Sequence, residues 1–335
     1  MGFREVIRDA RALEPGEPGR TQPLERVSSL ISYEKQASAI AGLLIPASRP
    51  EHEEARKTFK YVVTELLRNV LQHSKDGLGG VLAAQVMEPF GGTPSVQVAV
   101  CDAGVGIPAA LQASHPTYID PEAALDKALH PHISGTFREG LTGSAYNAGM
   151  GLFFISEMAK LTEGRLLIAT RGAGMVLTGD PELEEMQKKI RLLSGFPGTL
   201  VAFELPLSHV ADHDSLIETI RKRAEERTPK RNTVRFLVFG PPPEGVPTFL
   251  VHHIAENAVA AERLSRETLV PTIFERNSVA LDFRDLSIAT QSFIHSLLYE
   301  PLRLAWALRI PVYAVETAPA VRSALELVEN YALGG

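Results

Sequence analysis

With 335 residues, 44% of them apolar and 22% charged, the chain is long enough for two domains with separate cores, and its composition excludes an intrinsically disordered protein. A net charge of -6 argues against a general nucleic-acid binder, which needs clustered Lys and Arg to neutralise phosphates. The single cysteine, Cys101, can form no internal disulfide and sits in an apolar stretch that suits a buried thiol. No apolar run approaches the ~20 residues that span a bilayer, and the opening MGFREVIRDARALEPGEPGR lacks the apolar core of a signal peptide, so a cytoplasmic protein is expected.

Residues 1–25 mix charge with Pro15, Gly16, Pro18 and Gly19 and read as a lead-in. Met1-Gly2 is not a lipidation start, because position 6 is Val where Ser or Thr is required. The apolar rhythm from Leu24 to Leu44 predicts one or two helices, so residues 1–50 form a segment of their own. A long helix follows over 51–74, entered after Arg49-Pro50: Phe59, Val62, Val63, Leu66 and Val70 repeat at three- and four-residue spacing. Glu65, Asn69 and His73 stand four apart on it, a polar file that fits either a solvated face or a pocket wall.

VLAAQVMEP (81–89) and VQVAVC (96–101) read as a strand pair, and the second runs into Asp102-Ala-Gly104-Val-Gly106. The stretch 107–146 is too long for a turn; Asp120 as N-cap and Pro121 at the first helical position predict a helix over 120–130. Asn147-Ala-Gly149-Met-Gly151-Leu152 then opens an apolar helix, LTEGRLLIATRGAGMVL (161–177) predicts two strands, and DPELEEMQKKIRLLS (180–194) an inserted amphipathic helix. PGTLVAFELP (197–206) is a strand entered through Gly198-Thr199.

In this order, E-x-x-x-N-x-x-x-H, D-x-G-x-G, G-x-G-L and G-T resemble the nucleotide-binding domain of the GHKL superfamily, which holds gyrase-type and chaperone ATPases, histidine kinases and anti-sigma serine kinases. The resemblance covers 51–207 and implies an α+β fold, a two-layer ATP-binding sandwich of the Bergerat type. It implies that Asp102 accepts a hydrogen bond from the adenine amine and that Thr199 completes that contact. Gly104 and Gly106 would let the backbone bend round base and sugar. Asn147, Gly149, Gly151 and Leu152 would form the phosphate box, with backbone N–H groups at a helix N-terminus. Asn69 would hold Mg²⁺ through its side-chain oxygen, and Glu65 would orient a water or accept a proton. His73, a further turn on, would face solvent or a partner. Arg138, His130 and His132 are either phosphate contacts or solvated loop residues.

Residues 208–232 predict a charged linker helix whose cluster Arg221, Lys222, Arg223 alternates with acids and reads as a solvated face. From 233 to 335 strands alternate with helices, predicting a small α/β domain. Its LDFRDLSIATQSFIHSLL resembles STAS-like domains and, more distantly, anti-sigma-factor antagonists, in which a serine ahead of this helix is phosphorylated. Ser287, Thr290 and Ser292 occupy that neighbourhood, and Thr290 or Ser292 would equally serve as a helix cap. His295, just before Glu300-Pro301-Leu302, stands after the ATPase boxes, and the proline falls one residue too late for a phospho-acceptor helix, so a histidine autokinase is disfavoured.

Two readings result. The first is an ATP- and Mg²⁺-dependent enzyme, an ATPase or a serine/threonine kinase, that switches a protein partner. The second is a nucleotide sensor in which ATP drives dimerisation without useful turnover, as in a bacterial stress or defence system. Neither involves a membrane or a general nucleic-acid ligand.

Overall fold

A computed structural model describes residues 20–27, 33–75, 77, 79–88, 93–114, 120–135, 149–178, 187–193, 196–227, 235–255 and 257–333. Among the described residues the chain is mixed α and β, with one antiparallel and one parallel sheet. It divides into two units, Met1–His130, Ser134–Arg138 and Gly151–Leu216 against Pro131–Ile133, Glu139–Met150 and Ile217–Gly335.

Among its described residues the first unit has seven strands: β1 (Thr21–Val27), β2 (Gly80–Met87), β3 (Ser95–Asp102), β4 (Arg165–Thr170), β5 (Gly172–Thr178), β6 (Gln187–Leu193) and β7 (Thr199–Pro206). Their order is β1-β2-β3-β7-β4-β5-β6, and every neighbouring pair is antiparallel. Residues in register share a face. Val100, Val201, Ile168 and Met175 therefore form one buried row, and Val98, Phe203, Leu166 and Leu177 the next.

Onto that face pack α1 (Tyr33–Leu44), α2 (Glu53–His73) and α5 (Gly151–Leu161), with Tyr61 of α2 stacked on Phe154 of α5 at 5.8 Å. The helix predicted over 51–74 is thus present as α2, and its apolar file Phe59, Val62, Val63, Leu66, Leu67 is fully buried. Two short helices, α3 (Ile107–Ser114) and α4 (Pro121–Lys127), follow β3. Asp120 caps α4 as expected, its carboxylate accepting the Ala123 N–H at 2.9 Å.

Three expectations are corrected in this unit and the next. Leu24 lies in a strand and not a helix: β1 pairs with β2 at the sheet edge, and its register shifts between Gln22 and Glu25, around Pro23, which has no N–H to give the ladder. The inserted helix over 180–194 is replaced, where described, by β6, because pairing with β5 outweighs the helical propensity of a charged segment. The third concerns Arg221. Helix α6 (His213–Arg227) carries the division at Leu216, and Arg221 on it is not solvated but 1% exposed.

The second unit has a four-stranded parallel sheet, β8 (Leu237–Phe239), β11 (Val312–Val315), β10 (Val279–Asp282) and β9 (Thr248–Leu250) in that order. Helices α7 (Ala258–Leu264), α8 (Val270–Phe274), α9 (Gln291–Leu308) and α10 (Pro319–Ala332) connect or follow the strands. A π-turn, Ser265–Leu269, joins α7 to α8 just before Pro271, whose missing N–H interrupts the α-helical ladder. Arg221 donates to the carbonyls of Ala289 at 3.0 Å and of Ala320, fixing the loop ahead of α9 to the start of α10. Glu329 accepts the N–H groups of Phe236 and Leu237, anchoring the entry to β8.

Candidate functional site

The first corner of the site lies on α2. Glu65 is 1% exposed, and its Oε2 accepts from Arg68, 3% exposed, at 2.6 Å. Asn69 is half-buried one turn on. Both side chains face Gly151, the first residue of α5: a Cβ there would lie 2.9 Å from Glu65 Oε2 and 3.3 Å from Asn69 Nδ2 and Oδ1. A side chain there would have to displace the ends of these two side chains. Asn69 Nδ2 is buried and has no hydrogen-bond partner among the described residues, a cost that a native fold rarely carries without a ligand or water to meet it.

The second corner is made by three strands. Asp102 ends β3, 5% exposed, directly across from Thr199 on β7, which in turn faces Thr170 on β4. Asp102 Oδ1 accepts the Gly104 N–H at 2.8 Å. Thr170 Oγ1 accepts the Ile107 N–H at 2.9 Å and stands 3.3 Å from Thr199 Oγ1. Gly106 has φ +79, and a Cβ on it would meet Thr170 Oγ1 at 3.0 Å, so the glycine is required by both conformation and space.

The end of α2 joins the two corners. A side chain at Gly104 would collide with the Ser74 carbonyl, which follows α2 and accepts the Val105 N–H at 3.1 Å. From Glu65 to Ser74 the helix rises roughly 14 Å. At its other end Thr58 Oγ1 meets His213 Nδ1 at 2.8 Å, so α2 is held at both termini.

Gly149 has φ +64, in the left-handed region that favours glycine, and Leu152 is half-buried in the first turn of α5. Asn147 and Arg138 lie outside the described residues. His130 is exposed, and His132 is buried. His73, expected to face solvent or a partner, is half-buried, and burial with the positive charges of Arg68 and Lys75 pushes it down to about 4. Burial and the adjacent Asp102 push the Cys101 thiol up to about 12, leaving it an inert packing group.

Among the described residues no group of three His, Cys, Asp or Glu could hold a metal. A cation here would rest on Asn69 Oδ1 and on oxygens brought by a ligand, which suits Mg²⁺. A cavity of about 620 Å³ lies elsewhere, on the other face of the sheet between Leu24, Ala99, Ala202 and Leu167.

In the second unit Ser287 is exposed, Thr290 caps α9 by accepting the Phe293 N–H at 3.2 Å, and Ser292 is 6% exposed. His295 is 1% exposed, 2.8 Å from the Tyr331 hydroxyl and stacked on Tyr299 at 4.6 Å.

Sequence reasoning passed over Arg68 and Thr170. Arg68 had a signal, an arginine three residues after an acid inside an apolar helix face. Thr170 had none, since only strand register brings it opposite Thr199. No model of a known protein family matches the chain, and no curated protein matches it.

Proposed function

We propose that this chain is a Mg²⁺-dependent ATP-binding regulatory protein of the GHKL type, which hydrolyses ATP or passes its terminal phosphoryl group to a protein hydroxyl. One observation carries the reading: residues about a hundred positions apart converge along the C-terminal half of α2, with Glu65 and Asn69 against Gly151, and with the loop after Asp102, itself across from Thr199, against Ser74 just past the helix end.

Adenine would pair with Asp102 and the hydroxyls beside it, and the phosphates would reach the start of α5, where backbone N–H groups and the helix dipole favour negative charge. Asn69 would hold Mg²⁺, which when bound neutralises phosphate charge. Glu65 would orient the attacking oxygen, and placement supplies most of the rate. The antiparallel sheet with helices on one face supports a Bergerat-type sandwich, and the parallel sheet with its helices supports a STAS-like second domain. Its exposed Ser287 is the hydroxyl a kinase would reach, whereas Thr290 is occupied as a cap and Ser292 is buried. The burial of His295 argues against a histidine autokinase.

Incubation with γ-labelled ATP and Mg²⁺ tests the reading. Label released as phosphate, or fixed on a protein hydroxyl, is expected; the absence of both with wild-type protein would refute catalysis. The second reading is a sensor in which ATP drives dimerisation without turnover. Glu65→Gln separates the two: turnover lost with ATP binding retained supports chemistry, and an unchanged phenotype supports sensing.

A further inference from the structure

Arg68 has no assigned role in the pocket just proposed, yet it touches the acid. Its side chain is fully enclosed on α2, with one guanidinium nitrogen on Glu65 Oε2 at 2.6 Å and another 3.4 Å from Gln72 Oε1. Nε has no hydrogen-bond partner among the described residues. The oxygen it grips is the same Oε2 that stands 2.9 Å from the Cβ position of Gly151. On α1, Tyr33 is 2% exposed, and its phenol has Glu34, Arg68 and Glu65 as charged neighbours, so the pair is backed by a second helix.

A pair of this kind is a poor device for stability, because taking both ions out of water cancels most of their attraction. It is a good device for placement. A free Glu side chain has three rotatable bonds, and a fixed guanidinium at short range leaves one carboxylate oxygen a single direction. We infer that Arg68 is a positioning residue that aims Glu65 Oε2 at the N-terminus of α5, where the terminal phosphate would lie. The inference rests on the ATP reading above.

The test compares wild type, Arg68→Met and Arg68→Lys in the full chain, with MgATP binding followed by calorimetry and turnover by γ-labelled ATP. Arg68→Met is expected to lower kcat roughly 100-fold while Kd stays within about threefold, since misplacing a catalytic group by an ångström has that scale of effect. Arg68→Lys keeps the charge without the planar fork, and is expected to lose about tenfold in kcat at unchanged Kd. If Arg68→Met does not fold, the lysine variant carries the test alone. Wild-type kcat in either variant, or a Kd that rises by the factor kcat falls, overturns the role. A wild-type chain that binds no MgATP, or binds it without turnover, instead sinks the reading on which the role depends.

Discussion

Among the described residues each unit buries one arginine, and the two are held differently. Arg221 in the second unit gives its N–H groups to the carbonyls of Ala289, in the loop ahead of α9, and of Ala320, in the first turn of α10. Arg68 in the first unit gives its best hydrogen bond to a buried carboxylate, beside an amide whose nitrogen has no partner among the described residues. The first arrangement staples backbone to backbone. The second brings an acid, a cation and an unmet donor to one point against a bare glycine, which is more polarity than the fold needs for itself.

That contrast can be broken most directly by removing the cations. Arg68→Met leaves Glu65 buried without its partner and is expected to cost about 3–5 kcal/mol, whereas Glu65→Gln/Arg68→Met should regain most of the loss. Urea unfolding of the single and double variants checks this, and a double variant no better than the single one would show that the pair is not a self-contained unit. Arg221→Met removes two buried charged hydrogen bonds to backbone carbonyls and is expected to lower stability by roughly 2–4 kcal/mol in the same assay, with MgATP affinity unaltered.

A smaller effect sharpens the electrostatics of the first unit. His73 titrates near 6.5 when unfolded and at about 4 in the fold. Between those values the unfolded chain binds more protons, so the neutral ring contributes its full stability above pH 6.5 and loses it as pH falls towards 4. The loss is up to about 3 kcal/mol, and His73→Gln should flatten that part of the wild-type stability–pH profile. The smallest effect belongs to the second unit. Thr290→Ala removes the cap of α9 and is expected to cost about 1 kcal/mol, while Ser287→Ala, with no capping bond to lose, should leave the urea midpoint in place.

How far the chain could be read before its structure depended on whether the information was local. Helix α2 was legible because twenty-one residues keep one apolar period, and the cap of α4 because Asp120-Pro121 is a short-range signal. Strands β1 and β6 were not, since their conformation comes from the neighbours they pair with. Arg221 was misread because a basic run alternating with acids describes the average face of a helix and not the one residue turned inward. The candidate pocket was legible as four motifs in order. What the motifs omit is the register that sets Thr170 beside Thr199 and the packing that closes Arg68 onto Glu65, both products of contacts between distant segments.

The central claim is that the strand-end carboxylate and the α2 amide serve one nucleotide. Calorimetry of MgATP binding to wild type, Asp102→Asn and Asn69→Ala tests it most directly. The account predicts binding by wild type, its loss in Asp102→Asn, and in Asn69→Ala a loss of the Mg²⁺-dependent part. No heat with wild-type protein at millimolar MgATP, or an Asp102→Asn variant indistinguishable from it, would contradict the account.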